Sequence, residues 1–150
     1  MFKFFDCFDA LSGPNIDLAV IEKHPGDALM LPFYYYDMID KSGNIVGKIS
    51  IRIGDNYNSY YNGHIGFEVR ESFRGNNYSL HASKLVLRVA AAHGMERVYV
   101  TCAESNCASR KIIEKLNARL VEIAEIPKDC FFWRDGIEAY CIYALPLEKT

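Results

Sequence analysis

A strand hands over to a helix at Arg74-Gly75-Asn76-Asn77-Tyr78-Ser79. The apolar run 65–69 precedes this hexapeptide, and a helical pattern of about four turns follows it. Leu80, Ala82, Leu85, Val86, Leu87, Val89 and Ala90 form the apolar part of that pattern, while His81, Lys84 and Arg88 share one stripe. His93 falls in the last turn and Gly94 is a natural stop. RVYVTCA, 97–103, is the next strand, with Val98, Val100 and Cys102 on one face. Strand, helix, strand in this order favours a parallel or near-parallel strand pair, because the crossover is right-handed and long enough to return.

The rest of the chain fits around that unit. Residues 16–22 read as a first strand, and 24–32 break regular structure with Pro25, Gly26 and Pro32. FYYYDMID and IVGKISIRI, joined by KSGN, read as a hairpin. In its second strand Ile45, Gly47, Ile49, Ile51 and Ile53 share one face, and Val46, Lys48, Ser50 and Arg52 the other. The hairpin makes the sheet mixed. GDNYNSYYNG reads as a polar, tyrosine-rich loop. A second helix starts near Ser105 or Asn106, both good caps, with Ala108, Ile112 and Leu116 recurring every four residues and Asn117 placed to end it in a left-handed residue. A strand over 118–126, a loop over 127–138 and a last strand over 139–147 complete the order.

The 150 residues suit one domain spanning 1–150 with a genuine core. A net charge of −2 argues against a general nucleic-acid binder but leaves a local anion site open. No apolar run approaches the roughly 20 residues that span a bilayer. The N-terminus lacks the pattern of a signal peptide, which makes cytoplasm the default location. The five cysteines form no CxxC pair and no zinc spacing, so reduced, mostly buried thiols and no metal are expected.

A simple turn needs fewer special residues than the hexapeptide contains. A helix N-terminus presents unpaired N–H groups and the positive end of a dipole. Glycine and small residues there let a pyrophosphate approach the backbone. Arg74 adds a forked cation, Asn77 tolerates left-handed geometry, and Ser79 is small and carries a hydroxyl. The alternative is an ordinary helix entry. There is no P-loop lysine and no three-glycine dinucleotide fingerprint.

The stretch Val69-Arg-Glu-Ser-Phe-Arg74-Gly75-Asn76-Asn77-Tyr78-Ser79 resembles the acetyl-CoA motif of the GNAT superfamily of N-acetyltransferases, often seen as V-x-x-x-x-R-G-x-G-Y-A. Downstream, VTCAESNCASRKIIEKLNARLVE resembles the family's later strand and its Asn-x-x-(Ser/Ala) helix. The resemblance covers roughly residues 45–125, and the N-x-x-S form is similar to the RimJ/RimL-type branch. Asn77 stands where the family has a second glycine, Ser79 where it has Gly/Ala, and Asn117-Ala118 where it has Gly-Phe.

The resemblance implies an α/β (α+β) GNAT fold: a mixed central β-sheet of about six to seven strands flanked by helices, with a splayed parallel strand pair holding acetyl-CoA. It implies that Val69, Arg74, Gly75, Asn76, Asn77, Tyr78, Ser79 and Asn106 bind the cosubstrate. It implies acetyl transfer to a primary amine by direct attack in a ternary complex. Main-chain N–H groups near Glu68 and Val69 would serve the thioester oxygen, with pantetheine lying between the strands. Glu68 is the first candidate base, through a water; a solvent-facing residue or a partner of Arg52 is the plainer role. His64 is second, with a surface or capping histidine at the strand start as the plainer role, and Cys102 alternates with core residues and is not expected to be a nucleophile. Many members carry a tyrosine acid on the second helix. Here that position is Ile113, which leaves Ser109 as the candidate near the sulfur. Tyr57, Tyr60 and Trp133, on aromatic loops, are candidates to bind a small-molecule or peptide amine; a loop folded over the core or a homodimer contact is the plainer use of such residues. The pair of helices between the family's first two strands is shortened here to HPGDALMLP, which implies a wider acceptor cleft. A non-catalytic CoA-binding module is the alternative reading of the whole chain.

Overall fold

The structure, a computed structural model, describes residues 2–148. Two antiparallel sheets form the frame. The first holds five strands in sequential order: β1 (Ala10–Ser12), β2 (Asp17–His24), β3 (Phe33–Ile39), β4 (Ile45–Arg52) and β5 (Ile65–Val69). The second holds three: β6 (Arg97–Ala103) and β7 (Arg119–Ala124) flank β8 (Tyr140–Pro146). Helix α1 (Tyr57–Asn62) lies between β4 and β5, α2 (Tyr78–Ala92) between β5 and β6, and α3 (Cys107–Lys115) between β6 and β7. Among the described residues no helix is long and apolar enough to cross a membrane.

Local sequence accounts for most boundaries. Asp40 accepts the N–H groups of Ser42 and Asn44, which turns the β3–β4 hairpin over Gly43. Gly94, at a φ of 84°, follows α2, and Asn117, at 65°, follows α3, as their residue types predict. Strand β1 has no counterpart in the sequence reading, because three residues are too few to show a period. GDNYNSYYNG is not a loop throughout. Asn56 and Ser59 cap one another's backbone N–H groups in a full capping box and start α1.

The core lies between α2 and the first sheet and continues under β6 and β8. Tyr34, Tyr36, Met38, Ile49, Ile51, Val86, Val89 and Val98 are fully buried there. The period-2 reading of β4 holds from Gly47 on. It fails at the start, where Ile45 and Val46 together oppose Ile39. The extra residue inverts the alternation, so Val46 is buried and Ile45 is 38% exposed. On α3 the buried line runs through Ile113 and Leu116, while Ala108 is exposed.

Candidate active site

Strands β5 and β6 meet at their starts and are joined by no ladder. His64, just before β5, is the staple. Its N–H donates to the Tyr99 carbonyl at 2.7 Å, and the Tyr99 N–H donates to its Nδ1 at 2.9 Å. Since Nδ1 accepts, Nε2 carries the proton and donates to the Gly54 carbonyl at 2.7 Å. Gly63 permits the close approach: a Cβ there would sit 3.1 Å from Tyr99 O and from Thr101 N, and its φ is +78°.

Hydrogen-bond parity says what lines the space beyond the staple. Arg52 N–H donates to His64 C=O, and Arg70 N–H donates to Val46 C=O. Even-numbered residues of β5 therefore turn their backbone groups toward β4, and Phe67 and Val69 turn theirs into the gap. On the other side the Glu104 N–H donates to Ala139 C=O, so Thr101 and Ala103 face the gap from β6. The gap is walled by main-chain donors and acceptors, a shape and chemistry that take an extended chain bearing amides. Of the two residues expected to offer an N–H there, Val69 does, with Phe67 as its companion; the Glu68 N–H is turned to β4.

At the end of β5 the chain reaches the hexapeptide. Arg74 through Asn77 are exposed, Gly75 has a φ of +92° and Asn77 is left-handed at +59°. Asn77 is the N-cap of α2, yet its side chain makes no capping bond. That leaves first-turn N–H groups without the usual side-chain acceptor, on a helix whose dipole points its positive end outward. Arg74 Nε donates to the Val69 carbonyl at 3.2 Å and so stands at the mouth of the gap. Lys115, from the last turn of α3, brings a second cation, 3.2 Å from Asn77 Oδ1. Sequence spacing gave no sign of Lys115. Asn76 donates to Phe73 C=O, Tyr78 is half-buried, and Ser79 is buried at 8% exposure, so Ser79 offers small size here rather than an open hydroxyl. Asn106 caps α3 by accepting the Ser109 N–H at 3.1 Å, and Ser109 is half-buried on that first turn. An anionic diphosphate fits the α2 end, and its arm fits the gap.

A second space opens on the face of the first sheet where Lys48, Ser50, Arg52, Gly66 and Glu68 point. It is a cleft of about 500 Å³, closed on one side by α1 and by Phe131. Glu68 is exposed there and makes no ion pair among the described residues. Arg52 is not its partner: Arg52 donates to the Gly63 carbonyl at 3.0 Å. The shortened segment 25–32 supplies Leu29, Met30 and Leu31 to the rim.

Three sequence candidates lie elsewhere. Tyr57, Tyr60 and Tyr61 fall on one stripe of α1, and Asn58, Ser59 and Asn62 line the cleft instead. Tyr57 donates to Asp129 Oδ1 at 2.8 Å and Tyr60 to Glu122, whose carboxylate pushes the phenol up to about 12. Tyr60 also packs edge-on against Tyr99. These tyrosines pin α1 to the second sheet. Trp133 is half-buried with Lys128 over its ring and does not reach the cleft. For the two tyrosines the helix missed in the sequence is the cause, since it sorts the tyrosines and the amides onto opposite faces.

His64 is also removed as a base. It is fully buried, both ring nitrogens are engaged, and burial holds its pKa below the ordinary 6.5. Such a histidine takes up its proton more readily in the unfolded chain. Stability is therefore present above pH 6.5 and falls as the pH drops below it, by at most ~1.4 kcal/mol per pH unit for this residue. Burial lowers His81 and His93 as well, with the same sign. We expect Tm to decline from pH 7 to 5 in scanning calorimetry, and His64→Gln to flatten that slope. Cys102 is buried and its thiol is pushed up to about 11 by desolvation, which makes it a core residue rather than a nucleophile. Ile113 is fully buried, so the position of the family's tyrosine belongs to the core.

The comparisons with known proteins agree with this layout. The family model described as "Acetyltransferase (GNAT) domain" matches residues 18–119. No curated protein sequence matches the chain at a significant level. Among solved structures, the Microcin C7 self immunity acetyltransferase MccE, in complex with acetyl-CoA and AMP, superposes with a TM-score of 0.60 at 19% identity, over 77% of this chain and 61% of that one. The acetyltransferase of Salmonella typhimurium that modifies the N-terminal serine of a 50S ribosomal subunit protein gives 0.60 at 19% identity, over 77% and 64%. Mycobacterium smegmatis RimJ, in complex with a CoA-disulfide, gives 0.58 at 18%, over 76% and 53%. The chain thus spans between about half and two thirds of these relatives' lengths, and at such identities the likeness is one of fold. The matched span includes the splayed strands, the hexapeptide and the capped third helix: this chain belongs to the GNAT acetyltransferase family.

Proposed function

We propose that the protein is an acetyl-CoA-dependent N-acetyltransferase that acts on a primary amine held beside the thioester. The observation that carries this reading is the gap between β5 and β6, walled by the backbone of Phe67, Val69, Thr101 and Ala103 and ending at the uncapped start of α2. MccE was solved with acetyl-CoA and RimJ with a CoA-disulfide, which supports the same ligand class here.

When bound, acetyl-CoA supplies an activated acyl group. The chain's own residues do the rest. First-turn amides of α2, Arg74 and Lys115 bind the diphosphate. The N–H groups of Phe67 and Val69 face the arm, and the one nearest the thioester donates to its oxygen as charge develops. Glu68, across the rim in the cleft, takes the amine's proton directly or through a water. The amine nitrogen bonds to the acyl carbon, the carbon–sulfur bond breaks, and the thiolate takes a proton. Ser109, at the start of α3, is the candidate to give it.

Three expected outcomes test this. Acetyl-CoA at 100 times its Kd should raise Tm, through roughly 2.7 kcal/mol of stabilisation. Arg74→Ala should weaken binding about tenfold or more by calorimetry and leave the unliganded Tm unchanged, because Arg74 is exposed. Ser109→Ala should lower kcat by about tenfold or more at unchanged Kd; an unaltered kcat would remove Ser109 as the acid.

A second reading, a CoA-binding module without turnover, is favoured by buried Ile113 at the tyrosine position. Binding of acetyl-CoA without thiol release across an amine panel would establish it.

A further inference from the structure

The cleft holds a cation with nothing to neutralise it. Arg52 projects from β4 into the cleft, between the sheet and α1. A guanidinium has five N–H donors and no acceptor. One donates to the Gly63 carbonyl at 3.0 Å. Among the described residues no carboxylate lies within ion-pair distance of it. The other cation of the cleft, Lys48, is 2.7 Å from Asp37 Oδ1. Arg52 is also largely desolvated, which works against its charge. A half-buried arginine without a counterion is a costly arrangement unless an anion arrives.

Gly66 points to where that anion sits. It lies mid-strand in β5, where glycine weakens a sheet, and its φ is not among the positive ones that would demand glycine. What the missing side chain leaves open is the guanidinium: a Cβ at 66 would stand 3.2 Å from Ser50 Oγ and 3.7 Å from an Arg52 terminal nitrogen. Any longer side chain would cover Arg52. Gly66 also borders Phe67, whose backbone faces the gap on the other edge, and Glu68 lies one same-face position further, roughly 6.7 Å along the strand. An anion on Arg52 and an amine proton on Glu68 are therefore spaced for two ends of one small molecule, with the strand edge between them.

We infer that Arg52, exposed by Gly66 and assisted by Ser50, forms a carboxylate subsite, so that the acceptor is an amine bearing a carboxylate close to its nitrogen. This rests on the acetyltransferase reading above. The carboxylate has two sources: the α-carboxylate of a free amino acid, or an acidic side chain on the first residue of a peptide.

The test uses the full chain with acetyl-CoA and matched acceptor pairs. Free amino acids are compared with their carboxamides, and peptides starting with Asp or Glu with those starting with Asn or Gln. The wild type should favour the acid of a pair at least tenfold in kcat/KM. Arg52→Gln and Gly66→Ala should each erase that preference through KM and leave the Kd for acetyl-CoA unchanged. Calorimetry with CoA present gives a readout without turnover, in which the acid binds the wild type and not Arg52→Gln. Should Arg52→Gln fail to fold, the wild-type acid-to-amide ratio and Gly66→Ala decide alone. A preference confined to one pair type names the source. Equal use of acids and amides overturns the subsite and leaves the acetyltransferase reading intact. Acetyl-CoA binding with no amine acetylated overturns both.

Discussion

Glu68→Gln should bind acetyl-CoA like the parent and acetylate about 10²–10⁴-fold more slowly. The expectation comes from position. Glu68 sits on β5, the strand whose next residue, Val69, turns its backbone into the gap. The other carboxylate that lines the cleft, Glu22, lies on β2, with β3 and β4 between it and β5. At roughly 4.8 Å per strand spacing, that puts Glu22 about 14 Å away from the reacting edge. His64 has no free nitrogen. Glu68 is thus the one of these three that lines the cleft from the strand that walls the gap. Its side chain is exposed and unpaired, so the amide replacement should shift stability by no more than about 0.5 kcal/mol. Steady-state kinetics with a saturating amine, beside a Kd from calorimetry, reads the two effects apart. A kcat within threefold of the parent would move the base elsewhere, to bulk water or to the substrate itself.

Much of this frame was legible because it rests on local patterns. Period 2 in 47–53, the apolar repeat of α2, the stop at Gly94 and the left-handed Asn117 all follow from single-residue preferences, and the structure carries each of them. The hexapeptide was legible for the same reason: glycine and asparagine announce positive φ, and both adopt it. What the sequence hid depends on geometry between elements. The bulge at Val46 inverts two residues because β3 and β4 slip by one, and no propensity records a slip. Helix α1 was hidden by its tyrosines and asparagines, which read as loop; the signal that could have found it was the Asn56…Ser59 capping spacing. Missing α1 cost two site assignments, since its helical turn sends Tyr57 and Tyr60 away from the cleft. Lys115 gave no signal, and Arg52 read only as a strand residue that could pair with Glu68. Lys115 reaches the α2 terminus from another helix, and Arg52 matters because no carboxylate among the described residues answers it.

Gly47→Ala should be the most damaging single-carbon change in the site. Gly47 faces Val69 across the β4–β5 ladder. A Cβ there would collide with the Glu68 carbonyl oxygen and lie 3.0 Å from Val69 Cα and 3.2 Å from the Glu68 carbonyl carbon. All three are backbone atoms, so no side chain can swing aside. The backbone φ at Gly47 is not in the positive region, which means the residue is glycine for space and not for conformation. Relief requires β5 to move away from β4, and β5 is the wall that carries both the gap-facing amides and Glu68. Overpacking of this kind costs about 2–3 kcal/mol, equivalent to roughly 5–10 °C in Tm for a chain of this size. Activity should fall further than stability does, measured well below the new Tm, because a shift of β5 displaces the proposed oxyanion donor and the proposed base together. Another position on the same strand separates the two effects: Ile49→Val, fully buried in the core, removes a methyl and presses on no backbone of β5, so it should lower Tm by a cavity term and leave kcat intact. If Gly47→Ala instead loses Tm and keeps full kcat, β5 is not the strand that aligns the thioester.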